Sequence, residues 1–159
     1  MILKLISGNK DIIIKASDGQ RTIAQATEVF TGYIDSDFKD WGLDKPGKAT
    51  PVTKVAVHEM NSDSKLKPMF KKLNIDLDKL CFTQNQIIDF VLDKDSRKWL
   101  HPQGYATFFL FKENGKYFVA RVYFNSSDPL RVSVSQLEDG NVWEAESCHR
   151  VVVPELLVA

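Results

Sequence analysis

Cysteine is scarce in this chain of 159 residues. Cys81 and Cys148 are the only two, and they stand far apart with no Cys-x-x-Cys. That excludes a disulfide scaffold or zinc ribbon and points to free thiols in a reducing compartment. Histidine is scarce as well. His58, His101 and His149 are scattered, with no His-x-His and no His-x-x-x-His, so no metal and no cofactor is expected. Neither sign of charge dominates: Lys plus Arg number 21 and Asp plus Glu number 21. Without a basic excess or basic tail, non-specific nucleic-acid binding has no electrostatic footprint. No apolar run is long enough for a bilayer span. The apolar start at residues 1–6 is broken by Lys4 and too short for a signal peptide, so the expected location is the cytoplasm. Gly-x-Gly-x-x-Gly, Walker and Gly-x-Ser-x-Gly signatures are absent, and no catalytic residue is assigned.

What the chain does have is a block of aromatics. Trp99, Tyr105, Phe108, Phe109, Phe111, Tyr117, Phe118, Tyr123 and Phe124 are more than half of its aromatic residues. Asn114-Gly115 divides the block, and this dipeptide suits a two-residue type I′ hairpin turn. Counting outward pairs Phe111 with Phe118, Phe109 with Ala120, Thr107 with Val122 and Tyr105 with Phe124, a nearly all-apolar core face. The other face pairs Lys112 with Tyr117, Leu110 with Val119, Phe108 with Arg121, and Ala106 with Tyr123. A second hairpin is predicted at Asp139-Gly140, pairing Val134 with Ala145, Gln136 with Trp143, Val132 with Ser147, and Leu130 with His149. Val151-Val152-Val153 extends its last strand to Pro154.

The length suits a single domain, 1–159, able to bury roughly 70% of its unfolded surface. Residues 1–61 are irregular. Ile12-Ile13-Ile14 reads as a short strand, and Val55, Val57 and Glu59 alternate as another. Residues 22–30 fit either a helix, with Thr22 and Gln25 as a capping box, or the return strand of a hairpin. Residues 35–51 read as a long loop. Residues 62–100 read as helical, with a stripe of Leu66, Met69, Phe70 and Leu73. A second helix is capped by Thr83 and Gln86, buries Ile87, Ile88, Val91 and Leu92, and reaches towards Trp99. Residues 105–154 form the antiparallel meander. The expected class is α+β: a C-terminal antiparallel sheet of about four strands on two or three helices, beside a loop-rich N-terminal part.

Candidate sites are few. Asp35, Asp37, Asp40 and Asp44 surround Trp41, but Lys39 and Pro46 occupy positions where a calcium loop needs ligands. Cys148 and His149 are neighbours whose side chains would point to opposite sides of a strand. Leu80 and Phe82 flank Cys81 as packing neighbours. Glu144 and Glu146 share a face, as an acid/base pair could. The second hairpin face is half apolar and half charged. Phe108, Tyr117, Arg121, Tyr123, Arg131, Glu144, Glu146 and Arg150 are the candidate contacts for a homodimer or protein partner, since aromatics and arginines are enriched at hot spots. The competing reading covers this face within the monomer, by the N-terminal segment or a helix.

Three runs carry a resemblance: Leu77-Asp-Lys-Leu-Cys-Phe-Thr-Gln-Asn-Gln-Ile-Ile88, Gly104-Tyr-Ala-Thr-Phe-Phe-Leu-Phe-Lys112 and His149-Arg-Val-Val-Val-Pro154. They are similar to runs in a group of small uncharacterised bacterial proteins from environmental genomes. That resemblance implies no activity, cofactor or site, and it favours an accessory cytosolic protein. The expected function is a non-enzymatic binding or protein-interaction module. A small hydrolase and a single-strand nucleic-acid binder using sheet aromatics are the alternatives.

Overall fold

Asn114 and Gly115 both take positive φ, 53° and 76°, as a type I′ turn requires, in the computed structural model, which describes residues 2–125 and 127–155. The turn sets the register between Gln103–Glu113 (here β5) and Lys116–Asn125 (β6). Phe111 pairs with Phe118, Phe109 with Ala120 and Phe108 with Arg121, as expected. The expected Tyr105–Phe124 pair does not form. The ladder shifts between Gln103 and Ala106, where Gly104 takes a φ of 83°.

The remaining strands are Leu3–Leu5 (β1), Ile12–Ile14 (β2), Tyr33–Ile34 (β3), Thr53–Met60 (β4), Asp128–Gln136 (β7) and Arg150–Pro154 (β8). The α-helices are Asp37–Asp40 (α1), Leu66–Lys71 (α2), Leu77–Leu80 (α3), Gln84–Leu92 (α4) and Lys94–Arg97 (α5). The strands form one eight-stranded sheet in the order β1-β4-β8-β5-β6-β7-β3, with β2 also paired to β4. Two contacts are parallel, β5 with β8 and β3 with β7; the other pairs are antiparallel.

This corrects the expected fold. The class remains α+β, but the sheet is mixed and eight-stranded and carries five α-helices among the described residues, not four antiparallel strands on two or three. The second hairpin is the element that fails. Trp143 exchanges backbone hydrogen bonds with Ser64 (2.8 and 3.1 Å), not with Gln136. A 3₁₀ turn follows at Ala145–Ser147, and Cys148 is left-handed at φ 53°. The chain thereby leaves β7, crosses to the far side of β5 and inserts β8 between β5 and β4.

Central strands in such a sheet are apolar on both faces and need two covers. On one face Phe109, Phe111, Phe118, Val122 and Val152 meet Ile23, Phe30, Phe38, Ile88, Phe90 and Val91. On the other, Phe108, Leu110, Val119 and Val151 meet Leu66, Met69, Phe70 and Leu80. Helices α2 and α3, not residues 1–60 alone, close this second face.

Local readings divide in the same way. The Thr83–Gln86 capping box forms in full at α4. That helix stops at Asp93, whose side chain accepts from the Asp95 N–H and starts α5, leaving Leu92 46% exposed instead of buried. The alternative of a capping box at Thr22 and Gln25 is not realised. Both side chains are drawn to Asp44, the Thr22 hydroxyl at 2.5 Å and the Gln25 amide at 3.2 Å, and residues 23–25 form a 3₁₀ turn. The 35–51 stretch is not all loop: α1 buries Phe38 completely, and Leu43 follows it into the core.

Candidate interaction face

Directly opposed residues of paired strands share a face. Tyr33 on β3 opposes Arg131 on β7, and Arg131 opposes Tyr123 on β6. Aromatic and guanidinium side chains therefore alternate across three strands. The Arg131 guanidinium lies 5.5 Å from the Tyr123 ring centre. Arg121, two residues along β6 on the same face, donates from Nη1 to the Tyr123 hydroxyl at 2.9 Å and sits 5.5 Å from the Trp143 ring. Such stacking holds the guanidinium plane and leaves its edge N–H groups to bond elsewhere. Arg131 is exposed and Tyr33 is 50% exposed.

Gly32 makes this row possible. A Cβ there would lie 2.9 Å from Arg131 Cγ and 3.0 Å from the Leu130 carbonyl oxygen. Glycine lets the chain lie along the β7 edge, with the Gly32 N–H bonded to Leu130 O at 3.0 Å.

The eight residues singled out from the sequence separate in space. Arg121, Tyr123 and Arg131 come together. Phe108 is fully buried, with ring centroids 5.0 Å from Trp143 and 5.6 Å from His149. Tyr117 belongs to the other end of the sheet, where its hydroxyl bonds Asp78 at 2.5 Å beside Lys112. Arg150 is turned inward. It donates to the carbonyls of Trp99 and Leu100 at 3.0 and 3.3 Å and lies 3.7 Å from Glu59. Glu144 precedes the 3₁₀ turn and Glu146 lies within it, and the Glu146 side chain raises the Glu144 carboxyl above its ordinary value. Tyr33 and Trp143 were missed as members of the row. The parallel β3–β7 contact joins segments about a hundred residues apart, and no local pattern announces it.

The acidic loop dissolves into structural roles. Asp35 accepts from the backbone of Asp37 and Val134 at 3.0 and 3.2 Å, and Asp44 serves Thr22 and Gln25. Among the described residues, no three His, Cys, Asp or Glu side chains are grouped to hold a metal ion. His149 Nδ1 accepts from the Ala106 N–H at 3.0 Å, and the ring packs against Tyr105, Phe108 and Trp143. Burial pushes the Cys81 thiol up to about 12, so it is not a thiolate at neutral pH.

All three histidines are shifted in the same direction. Burial lowers the titration of His58, His101 and His149 below the ordinary value. The Arg150 charge lowers His101 further, and His101 lowers His149. The unfolded chain recovers an imidazole near pH 6.5 and binds more protons than the folded one just below that value. Stability is therefore expected to fall as the pH drops through about 6.5. Asp89 and Glu113, raised by burial, have the opposite sign, but their contribution changes in a more acidic window. Urea midpoints at about pH 7.5 and about pH 5.5 check this; an equal or higher midpoint at the lower pH would contradict it.

No family model, no curated protein and no solved structure matches this chain. Among the described residues, no helix is long and apolar enough to cross a membrane.

Proposed function

We propose that the chain is a small cytoplasmic, non-enzymatic interaction module that docks an acidic segment of a protein partner on the row Tyr33, Arg131, Tyr123 and Arg121. One observation carries this reading. Two guanidinium groups are stacked on aromatic rings, yet among the described residues neither has a carboxylate within 4.0 Å. Some other surface charges, such as Lys112 with Asp78 and Lys67 with Glu138, are matched and others are not; what sets the two guanidiniums apart is that each is unmatched and held on a ring. Unmatched, preoriented guanidiniums on half-buried rings, beside the exposed Tyr33, suit a carboxylate-rich strand or loop, with Tyr33 supplying apolar area.

A second reading has support from the same stack. Rings interleaved with guanidiniums also offer a platform for unpaired bases. A labelled peptide of alternating Glu and Tyr and an oligo-dT strand test the two together. The peptide is expected to bind the native protein, and Tyr123→Ala with Arg131→Glu is expected to weaken it at least about tenfold with little change in melting temperature. Tighter, steeply salt-dependent binding of oligo-dT would favour the second reading. Failure of both probes, or peptide binding indifferent to the double change, would reject the row as a docking site. Light scattering of the free protein tests the remaining occupant, a second copy of this chain.

A further inference from the structure

A separate cleft lies at the opposite end of the sheet. Strands β5 and β8 run parallel, Thr107 opposite Arg150 and Phe109 opposite Val152. β8 ends at Pro154 while β5 continues to Glu113. The slot beside the overhanging part of β5 is taken by Phe82, whose N–H bonds Leu110 O at 2.8 Å. Beyond this point residues 46–50, the start of α4 and the end of β5 enclose a cleft of about 700 Å³. That volume suits a small molecule, and the carboxyl ends of parallel strands are a recurrent place for such a crevice.

The lining is chemically specific. Phe82 and Phe111 form its floor but are themselves almost wholly buried, 4% and 1% exposed, so most of the accessible lining comes from polar residues. Lys112 is already paired with Asp78 at 3.0 Å. Two charges are not. Among the described residues, Lys48 has no carboxylate within 4.0 Å, and Glu113 has no cationic side chain that close, only the Gln84 amide at 3.4 Å. One is on the 46–50 loop and the other on β5, so a positive and a negative group reach the cleft from two walls.

The loop is held in place. The Gly47 N–H bonds Gly19 O at 2.8 Å, and the Thr50 N–H bonds Ser17 O at 2.9 Å. Backbones approach so closely that a Cβ on Gly19 would lie 2.0 Å from Lys48 O. We propose that this cleft binds a small zwitterion of the amino-acid class, its ammonium on Glu113 and its carboxylate on Lys48. Burial raises the Glu113 carboxyl, and the Gln84 hydrogen bond and the more distant Lys45 charge offset part of that rise.

The test uses the full chain and a panel of the common amino acids and their dipeptides. Thermal shift followed by calorimetry is expected to find binding by at least one member. Glu113→Gln and Lys48→Gln are each expected to weaken it by about tenfold or more, with unliganded melting temperatures close to the native value. The N-acetylated ligand should bind the native protein about as weakly as the free ligand binds Glu113→Gln, and should lose nothing further in that variant. No binding by any panel member at millimolar concentration would overturn the proposal. So would binding that neither substitution changes, since it would place the ligand elsewhere. The acidic-peptide assay is independent of both substitutions, so the two proposals stand or fall separately.

Discussion

Phe109→Ala is expected to destabilise the protein by about 3–5 kcal/mol. The side chain is fully buried in the middle of the sheet. Its ring meets Phe82 edge-on at 5.9 Å and Phe90 at 5.1 Å, and its cross-strand neighbours are Ala120 and Val152. These partners belong to a β-hairpin, to α4 and its preceding loop, and to the inserted strand β8. They cannot all move to fill the space, so a cavity term adds to the lost burial. Against a typical total stability of about 5–15 kcal/mol, the loss is severe. Urea unfolding with an unchanged m-value measures it, and a loss below about 1 kcal/mol would mean that the site is not packed as described.

Gly19→Ala is the second large effect, and Gly115→Ala is its control. The two glycines have nearly the same φ, 77° and 76°. Both substitutions therefore carry the cost of a left-handed alanine, about 1–2 kcal/mol. They differ in surroundings. A Cβ on Gly115 meets nothing within 4 Å, whereas one on Gly19 would lie 2.0 Å from Lys48 O and 2.5 Å from its carbonyl carbon. Both contacts are backbone, so relief requires the loop to move and to stretch the Gly47–Gly19 hydrogen bond. Gly19→Ala is expected to cost at least about 2 kcal/mol more than Gly115→Ala. It should also expose residues 46–50 to proteolysis. Equal midpoints for the two variants would remove the close approach, and with it the fixed wall of the cleft.

Legibility follows the range of the interactions. The β5–β6 register could be read because Asn114-Gly115 links the strands directly, and one alternation serves both. The α4 start could be read because Thr83 and Gln86 bond each other's backbone within one turn. The same pattern at Thr22 and Gln25 misleads, since Asp44, remote in sequence, offers a carboxylate that outcompetes the local amide. Asp139-Gly140 misleads similarly. Once Ser64 pairs with Trp143, residues 143–149 are no longer available to β7.

The candidate sites show the same division. Arg121, Tyr123 and Arg131 were legible as a group because β6 and β7 are consecutive antiparallel strands. Tyr33 joins them only through a parallel contact, which requires a long excursion of chain. Glu113 and Lys48 are each unremarkable in sequence, and line one cleft only because residues 46–50, 81–86 and 111–113 converge.

By itself, then, the amino-acid sequence determined the aromatic hairpin, its turn and the α4 cap, whose partners are linked directly along the chain, and the strand character of Ile12–Ile14 and Thr53–Met60 but not their pairing. Tertiary structure alone decided that β8 inserts between β4 and β5, that the second sheet face is covered by α2 and α3, and that a cleft opens beyond Pro154. The reason is physical. A central strand with two apolar faces lowers its free energy wherever both are buried, and which segments do so depends on the packing of the whole chain rather than on neighbours in sequence.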